Sequence, residues 1–258
     1  MAIIKPFKIK NFKEQNAIVE LKNISKSFSK RKVLDDVSIK VNQGECLGIL
    51  GPNGSGKTTI LNLIMGILDP DYGNIILKGS DVTKLPVYER AVTKKLSYIP
   101  QKGGAILDLT VKENLQMIAE IHFKDKQIIK SKVESTIAQF QFDPIEKVKA
   151  KNISGGQFKR LVISMALVSE PKIMLLDEIF SALDLKTISM LIELIVNLQS
   201  HRGITCIMVD HLARDLLKTA DRSLILADGK IVAEGNSEDI IKNKLAKEVY
   251  FGEEFKIN

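Results

Sequence analysis

The chain has 258 residues, 45% hydrophobic and 27% charged, with a formal net charge of +7, two cysteines and no tryptophan. That length fits one large domain or two modest ones with a substantial core, and the balance is that of a globular chain rather than a disordered or fibrous one. It excludes a bilayer-spanning run, a leader peptide (Lys8, Lys10 and Lys13 break any apolar stretch) and a Cys/His metal cluster.

The expectation is therefore a protein that stays in the cytoplasm. Lysines are spread along the whole chain, with no RNA-binding aromatic motif and no DNA-reading helix, so no nucleic-acid partner is expected. A basic surface also suits an anionic membrane.

Residues 1–16 read as a basic tail. Residues 18–24 and 37–41 alternate apolar and polar, which predicts an antiparallel sheet. Residues 46–50 form a short apolar run, a buried strand, and Ile60, Leu61, Ile64 and Met65 then fall at helical spacing. After the turn Asp71-Tyr72-Gly73 come strands at 74–78 and 96–99, the second closed by Pro100. From 102 to about 152 the texture changes, with helical spacing and many charges over 111–123 and 126–140. A helix over 155–169 is ended by Pro171. Strands at 172–176 and 204–209 flank a long amphipathic helix over 183–198. Asp228-Gly229 turns a hairpin between 223–227 and 230–233, and helical spacing returns over 239–249. Strands alternating with helices predict a parallel α/β core. Cys46 and Cys206 lie in apolar strands and read as buried thiols. His122 and His201 read as surface residues.

Gly51-Pro52-Asn53-Gly54-Ser55-Gly56-Lys57-Thr58 spells G-x-x-x-x-G-K-T between a strand and a helix, with Thr59 following. This is a phosphate-binding loop. Glycines let backbone N–H groups close around phosphate oxygens, and the helix N-terminus adds partial positive charge. Lys57 reaches the terminal phosphates and the Thr58 hydroxyl binds Mg²⁺. A second signal is the apolar strand ending in Asp177-Glu178. It delivers two carboxylates to the sheet edge where ligands bind in open α/β folds. Asp177 would hold the Mg²⁺ shell and Glu178 would polarise an attacking water.

A third motif, Ile153-Ser154-Gly155-Gly156-Gln157, makes a family likeness specific. With the other two it resembles the ATP-binding-cassette (ABC) ATPases, whose signature is L-S-G-G-Q. The resemblance covers about 18–255. It implies an α/β fold: a P-loop NTPase core of the ABC type, an antiparallel β subdomain, and an inserted α-helical subdomain at about 102–170 within a 17–258 ATPase domain. It further implies ATP and Mg²⁺ as ligands, and two subunits in a head-to-tail homodimer. Ser154, Gly155, Gly156 and Gln157 of each would then contact the nucleotide held by the other.

By the same resemblance Phe28 stacks on adenine, Gln101 senses Mg²⁺ and the nucleophilic water, residues 181–184 cross the dimer interface, and His211 contacts the γ-phosphate. Two departures stand out. Ile179 replaces the proline that usually follows the catalytic carboxylate, which predicts a looser turn there. Phe158 replaces a polar residue and would pack on a neighbouring helix or a membrane partner.

With no membrane span of its own, a transporter role requires integral permease subunits docking near residues 101–109 and the helical insert. The chain would then be peripheral on the cytoplasmic face of the inner membrane. The ending Val249-Tyr250-Phe251-Gly252-Glu253-Glu254-Phe255 resembles that of lipopolysaccharide-export ATPases, which pair with LptF/LptG-like permeases. Branched-chain amino-acid importer ATPases share a Tyr-x-Gly-Glu ending but generally stop near there. A non-transport member such as an Fe–S assembly scaffold is the other alternative.

Overall fold

The computed structural model describes residues 17–29, 31–181, 183–252 and 255. The basic tail, Ala182, Glu253 and Glu254 therefore lie outside the described residues. In chain order the elements are β1 (Ala17–Phe28), β2 (Arg31–Asn42), β3 (Cys46–Leu50), α1 (Lys57–Met65), β4 (Tyr72–Leu77), β5 (Ser80–Asp81), α2 (Val87–Lys94) and β6 (Leu96–Ile99). Then come α3 (Val111–His122), α4 (Lys126–Phe140), α5 (Gly155–Val168), β7 (Ile173–Asp177), α6 (Leu185–Arg202) and β8 (Thr205–Val209). The chain closes with α7 (Ala213–Thr219), β9 (Arg222–Ala227), β10 (Lys230–Gly235), α8 (Ser237–Lys242) and α9 (Lys244–Ala246), followed by a wide helical turn, Lys247–Phe251.

Two sheets result. One is antiparallel, in the order β2-β1-β4-β5. The other runs β10-β9-β3-β8-β7-β6, parallel except for β10, which pairs antiparallel with β9.

Strand periodicity explains why the larger sheet is apolar on both faces. Successive side chains point to opposite sides. Leu47, Ile49, Ile173, Leu175, Ile207 and Val209 therefore join α1 and the antiparallel sheet in one core. Cys46, Leu50, Met174, Leu176, Cys206 and Met208 face the helices α3–α8 in the other. Each fully buried aliphatic side chain contributes about 1.5–3 kcal/mol. Cys46 and Cys206 are opposite each other in register and remain free thiols. A hydrogen bond with the Cys206 thiol, then burial, pushes the Cys46 thiol well up.

Local chemistry sets the helix ends. Thr110 and Glu113 form a capping box at α3, and Asp125 accepts from the Gln127 and Ile128 N–H groups at α4. Arg90, on α2, is 0% exposed. Its guanidinium donates to the carbonyls of Leu63 (2.7 Å) and Ile64 (3.0 Å) at the end of α1. It also donates to those of Thr83 (3.1 Å) and Leu85 (2.8 Å). These bonds fasten α1 to the segment that feeds β6.

Some expectations need correction. The helix expected over 239–249 is broken, because Asn243 is extended and its side chain accepts from the Ala246 N–H instead. The long helix begins at Leu185, because Asp184 caps it. His122 is half-buried rather than on the surface, and burial, then Lys95, holds its imidazole below the usual value. His201 is exposed. Phe158 packs, partly buried, on the helix-facing core.

Candidate active site

The phosphate loop joins β3 to α1, and its geometry requires glycine at two places. Gly51 has φ +149°, and a Cβ there would stand 2.0 Å from the Leu226 carbonyl oxygen. Gly56 has φ +106°, with a Cβ 2.7 Å from the Leu34 side chain. Gly56 caps α1 without any side-chain acceptor, so no side chain occupies the donors of the first turn, where Thr58 and Thr59 lie. The Lys57 ammonium donates to the carbonyls of Gly51 (2.8 Å) and Pro52 (2.9 Å), folded over its own loop. Burial holds it below the usual lysine value, opposed by Glu178, Asp177 and Asp210. The buried Ser55 hydroxyl has no hydrogen-bond partner among the described residues. An unsatisfied buried hydroxyl costs about 1–3 kcal/mol, and a phosphate oxygen would satisfy it. Asn53 and Gly54 lie on the exposed outer rim with Pro52.

Neighbouring parallel strands deliver the remaining groups to the same edge. Asp177 ends β7. Its carboxylate accepts from Thr58 Oγ1 at 3.2 Å and Tyr98 OH at 3.1 Å. Burial raises its pKa against those two bonds. A buried carboxylate beside an exposed hydroxyl suits a hard divalent cation, which would offset the desolvation of Asp177.

Glu178 follows with φ +47°, a left-handed conformation unusual for glutamate. Its Oε2 accepts from Gln101 Nε2 at 2.5 Å and Ser181 Oγ at 3.2 Å, and lies 3.5 Å from His211 Nδ1.

The sequence predicts a looser turn at Ile179. In the structure this turn is held at both ends and in the middle. The Glu178 N–H donates to the Val209 carbonyl at 2.7 Å, Phe180 N–H to Asp210 Oδ2 at 3.0 Å, and Ile179 and Phe180 are buried. Bonds and packing thus supply the restraint a proline ring would have given.

Asp210 and Tyr98 are neighbours of the site that sequence reasoning did not assign, and Ser181, expected at the dimer interface, also donates its hydroxyl to Glu178. Asp210 is buried, accepts from Phe180 and Leu212 N–H groups at 3.0 Å each, and is raised chiefly by burial. It fixes the loop bearing His211 to the loop bearing Glu178. An acidic residue closing an apolar strand, as at Asp177, was the available signal. Nothing in the local pattern marks Tyr98.

Phe28 ends β1 and is 44% exposed, with the Lys26 ammonium 5.7 Å above its ring. One side of the ring therefore carries a cation, and the residue is otherwise partly exposed to solvent. Ser154 and Gln157 cap α5 by bonding each other: Ser154 N–H to Gln157 Oε1 at 2.9 Å and Gln157 N–H to Ser154 Oγ at 3.3 Å. No bond links Ser154, Gly155, Gly156 or Gln157 to the phosphate loop among the described residues. Ser154 and Gly155 are exposed, and a Cβ at Gly155 would meet nothing within 4 Å. The structure thus gathers Gly51–Thr59, Gln101, Asp177, Glu178 and His211 at one edge and leaves the Ser-Gly-Gly-Gln turn facing outward.

A family model described as "ABC transporter" matches residues 34–181. The lipopolysaccharide export system ATP-binding protein LptB of Haemophilus influenzae is 37% identical over 243 residues, covering 93% of this chain and 100% of that protein. Among solved structures, the ADP conformation of MJ1267, an ATP-binding cassette of an ABC transporter, superposes with a TM-score of 0.82 at 28% identity, covering 92% of this chain and 99% of that one. A dimeric post-hydrolysis cassette, MJ0796 bound to ADP and Pi, gives a TM-score of 0.77 at 26% identity, covering 85% and 98%. The chain belongs to the ABC transporter family, as an ATP-binding subunit that hydrolyses ATP.

Proposed function

We propose that this chain powers lipopolysaccharide export. Two copies would close over two ATP molecules on the cytoplasmic face of the inner membrane, docked to integral permeases of the LptF/LptG type. The observation that carries the reading is the likeness to LptB over that protein's whole length. The C-terminal aromatic cluster supports it. Phe255 stacks on Phe251 with centroids 4.5 Å apart, Arg214 lies 5.8 Å from the Phe255 ring, and the Tyr250 hydroxyl donates to the His211 carbonyl at 3.3 Å. Within the 17–258 ATPase domain, we take residues of about 102–170 as the inserted helical subdomain.

The geometry supports the following division of labour. Gly51–Thr59 wrap the phosphates with backbone N–H groups, and Lys57 exchanges its loop carbonyls for phosphate oxygens. Phe28 stacks on the base. Thr58, Asp177 and Gln101 would hold Mg²⁺, which would supply charge neutralisation on the phosphates. Glu178 polarises the water that attacks the γ-phosphorus, and His211 contacts the γ-phosphate. The outward Ser154–Gln157 turn completes the site of the twin subunit, just as the dimeric form of MJ0796 has two cassettes together. Closure on ATP and release after hydrolysis would move the permease-facing groove.

Affinity purification from solubilised membranes, with mass spectrometry of bound subunits, tests the reading. LptF/LptG-like permeases in the complex support it. Amino-acid permeases, or only soluble assembly proteins, contradict it.

A further inference from the structure

At the end of the six-stranded sheet opposite the phosphate loop, positive charge collects, with Glu170 offsetting part of it. Lys78 follows β4, Lys94 and Lys95 close α2, and Lys172 precedes β7. The Lys172 N–H donates to the Lys95 carbonyl at 2.8 Å, which holds those two segments together. Lys78 and Lys172 line one cleft of about 380 Å³, with Ala17, Ile18, Gln43 and Gly203 completing its wall. A cleft of this size accommodates a small ligand or a headgroup.

The four ammonium groups have no ion pair and no hydrogen-bond acceptor among the described residues. By contrast, Lys26, Lys32, Lys112 and Lys151 each pair with a carboxylate. Glu170, which senses Lys95 and Lys172, is bonded to Lys132. Burial, then repulsion from Lys172, Lys94 and Lys95, holds the Lys78 ammonium below its usual value. Like charges this close repel even through physiological salt, whose screening length is about 8 Å. A multivalent anion relieves that repulsion, and lysine ammonium groups suit phosphate as compact point charges.

We propose that Lys78, Lys94, Lys95 and Lys172 form a second anion site, separate from the nucleotide site, for a ligand with clustered phosphate groups. The source is free polyphosphate or the headgroups of an anionic bilayer. Full-length protein saturated with ADP, so that the phosphate loop is filled, is titrated calorimetrically with inorganic tripolyphosphate. In parallel it is sedimented with phosphatidylglycerol-containing vesicles and with pure phosphatidylcholine vesicles.

The variant K78Q/K94Q/K95Q/K172Q is compared with K126Q/K130Q/K242Q/K244Q, which loses the same charge elsewhere. Each lysine near an anionic surface contributes about 1 kcal/mol, so the first variant is expected to bind at least about tenfold more weakly while the second binds like wild type. Tripolyphosphate binding alone assigns free phosphate as the ligand, and binding to anionic vesicles alone assigns headgroups. No binding to either probe, or an equal loss in both variants, overturns the proposal.

Discussion

Gln101 and Glu178 meet through a 2.5 Å hydrogen bond from Nε2 to Oε2, joining the segments that follow the neighbouring strands β6 and β7. The same carboxylate oxygen takes Ser181 Oγ at 3.2 Å and faces His211 Nδ1 at 3.5 Å. The group proposed to activate water is thus held by side chains from separate segments. One of them leads into the exposed Ile106 and Leu107, beside the proposed permease groove.

Replacing this carboxylate tests the assignment. Glu178→Gln keeps a side chain of the same shape and removes the base. We expect phosphate release to fall at least about 100-fold, with nucleotide affinity kept and an ATP-bound dimer accumulating in sedimentation. Wild-type turnover in this variant rejects the role.

Lys57→Ala removes the ammonium folded over the phosphate loop. A hydrogen bond to a charged group contributes about 1.5–3 kcal/mol, so nucleotide affinity should weaken by roughly 10- to 100-fold. Equilibrium dialysis with labelled ATP reads this directly, and unchanged affinity counts against the loop as the phosphate site.

Arg90 should matter for stability rather than chemistry. Its guanidinium serves four carbonyls, three of them in buried bonds. Arg90→Met strands them, and a loss of about 3 kcal/mol or more is expected in urea unfolding. Arg90→Lys restores only part, since an ammonium lacks the planar fork. An unchanged midpoint in Arg90→Met would contradict this account of how α1 is fastened to α2.

Deleting Phe255 removes the ring that stacks on Phe251 beside Arg214. Recovery of the permease complex and export should both drop. Normal assembly and export would remove the tail from the argument for lipopolysaccharide.

The strand–loop–helix around Lys57 and the acidic end of β7 were legible because period and composition agree there. Cys46–Leu50 and Ile173–Asp177 are buried on both faces, so they read as continuous apolar runs. Helices α3 and α4 were legible from spacing. Two short helices were not: α2, whose one buried residue is a charged arginine, and α7, with seven residues. Neither displays a long apolar stripe. Asp210 and Tyr98 act through contacts with chain segments far away in sequence, a relation that spacing does not encode. The break at Asn243 was hidden because apolar residues keep helical spacing across it while its side chain caps the next turn.

The most direct measurement mixes two inactive subunits. A Ser154→Arg chain keeps its phosphate loop and loses its outward turn; a Lys57→Ala chain does the reverse. If each nucleotide is enclosed by both copies, one intact site forms in the mixed dimer, and ATP turnover in the mixture rises above that of either variant alone. A mixture as inactive as its two components would contradict a site shared between subunits.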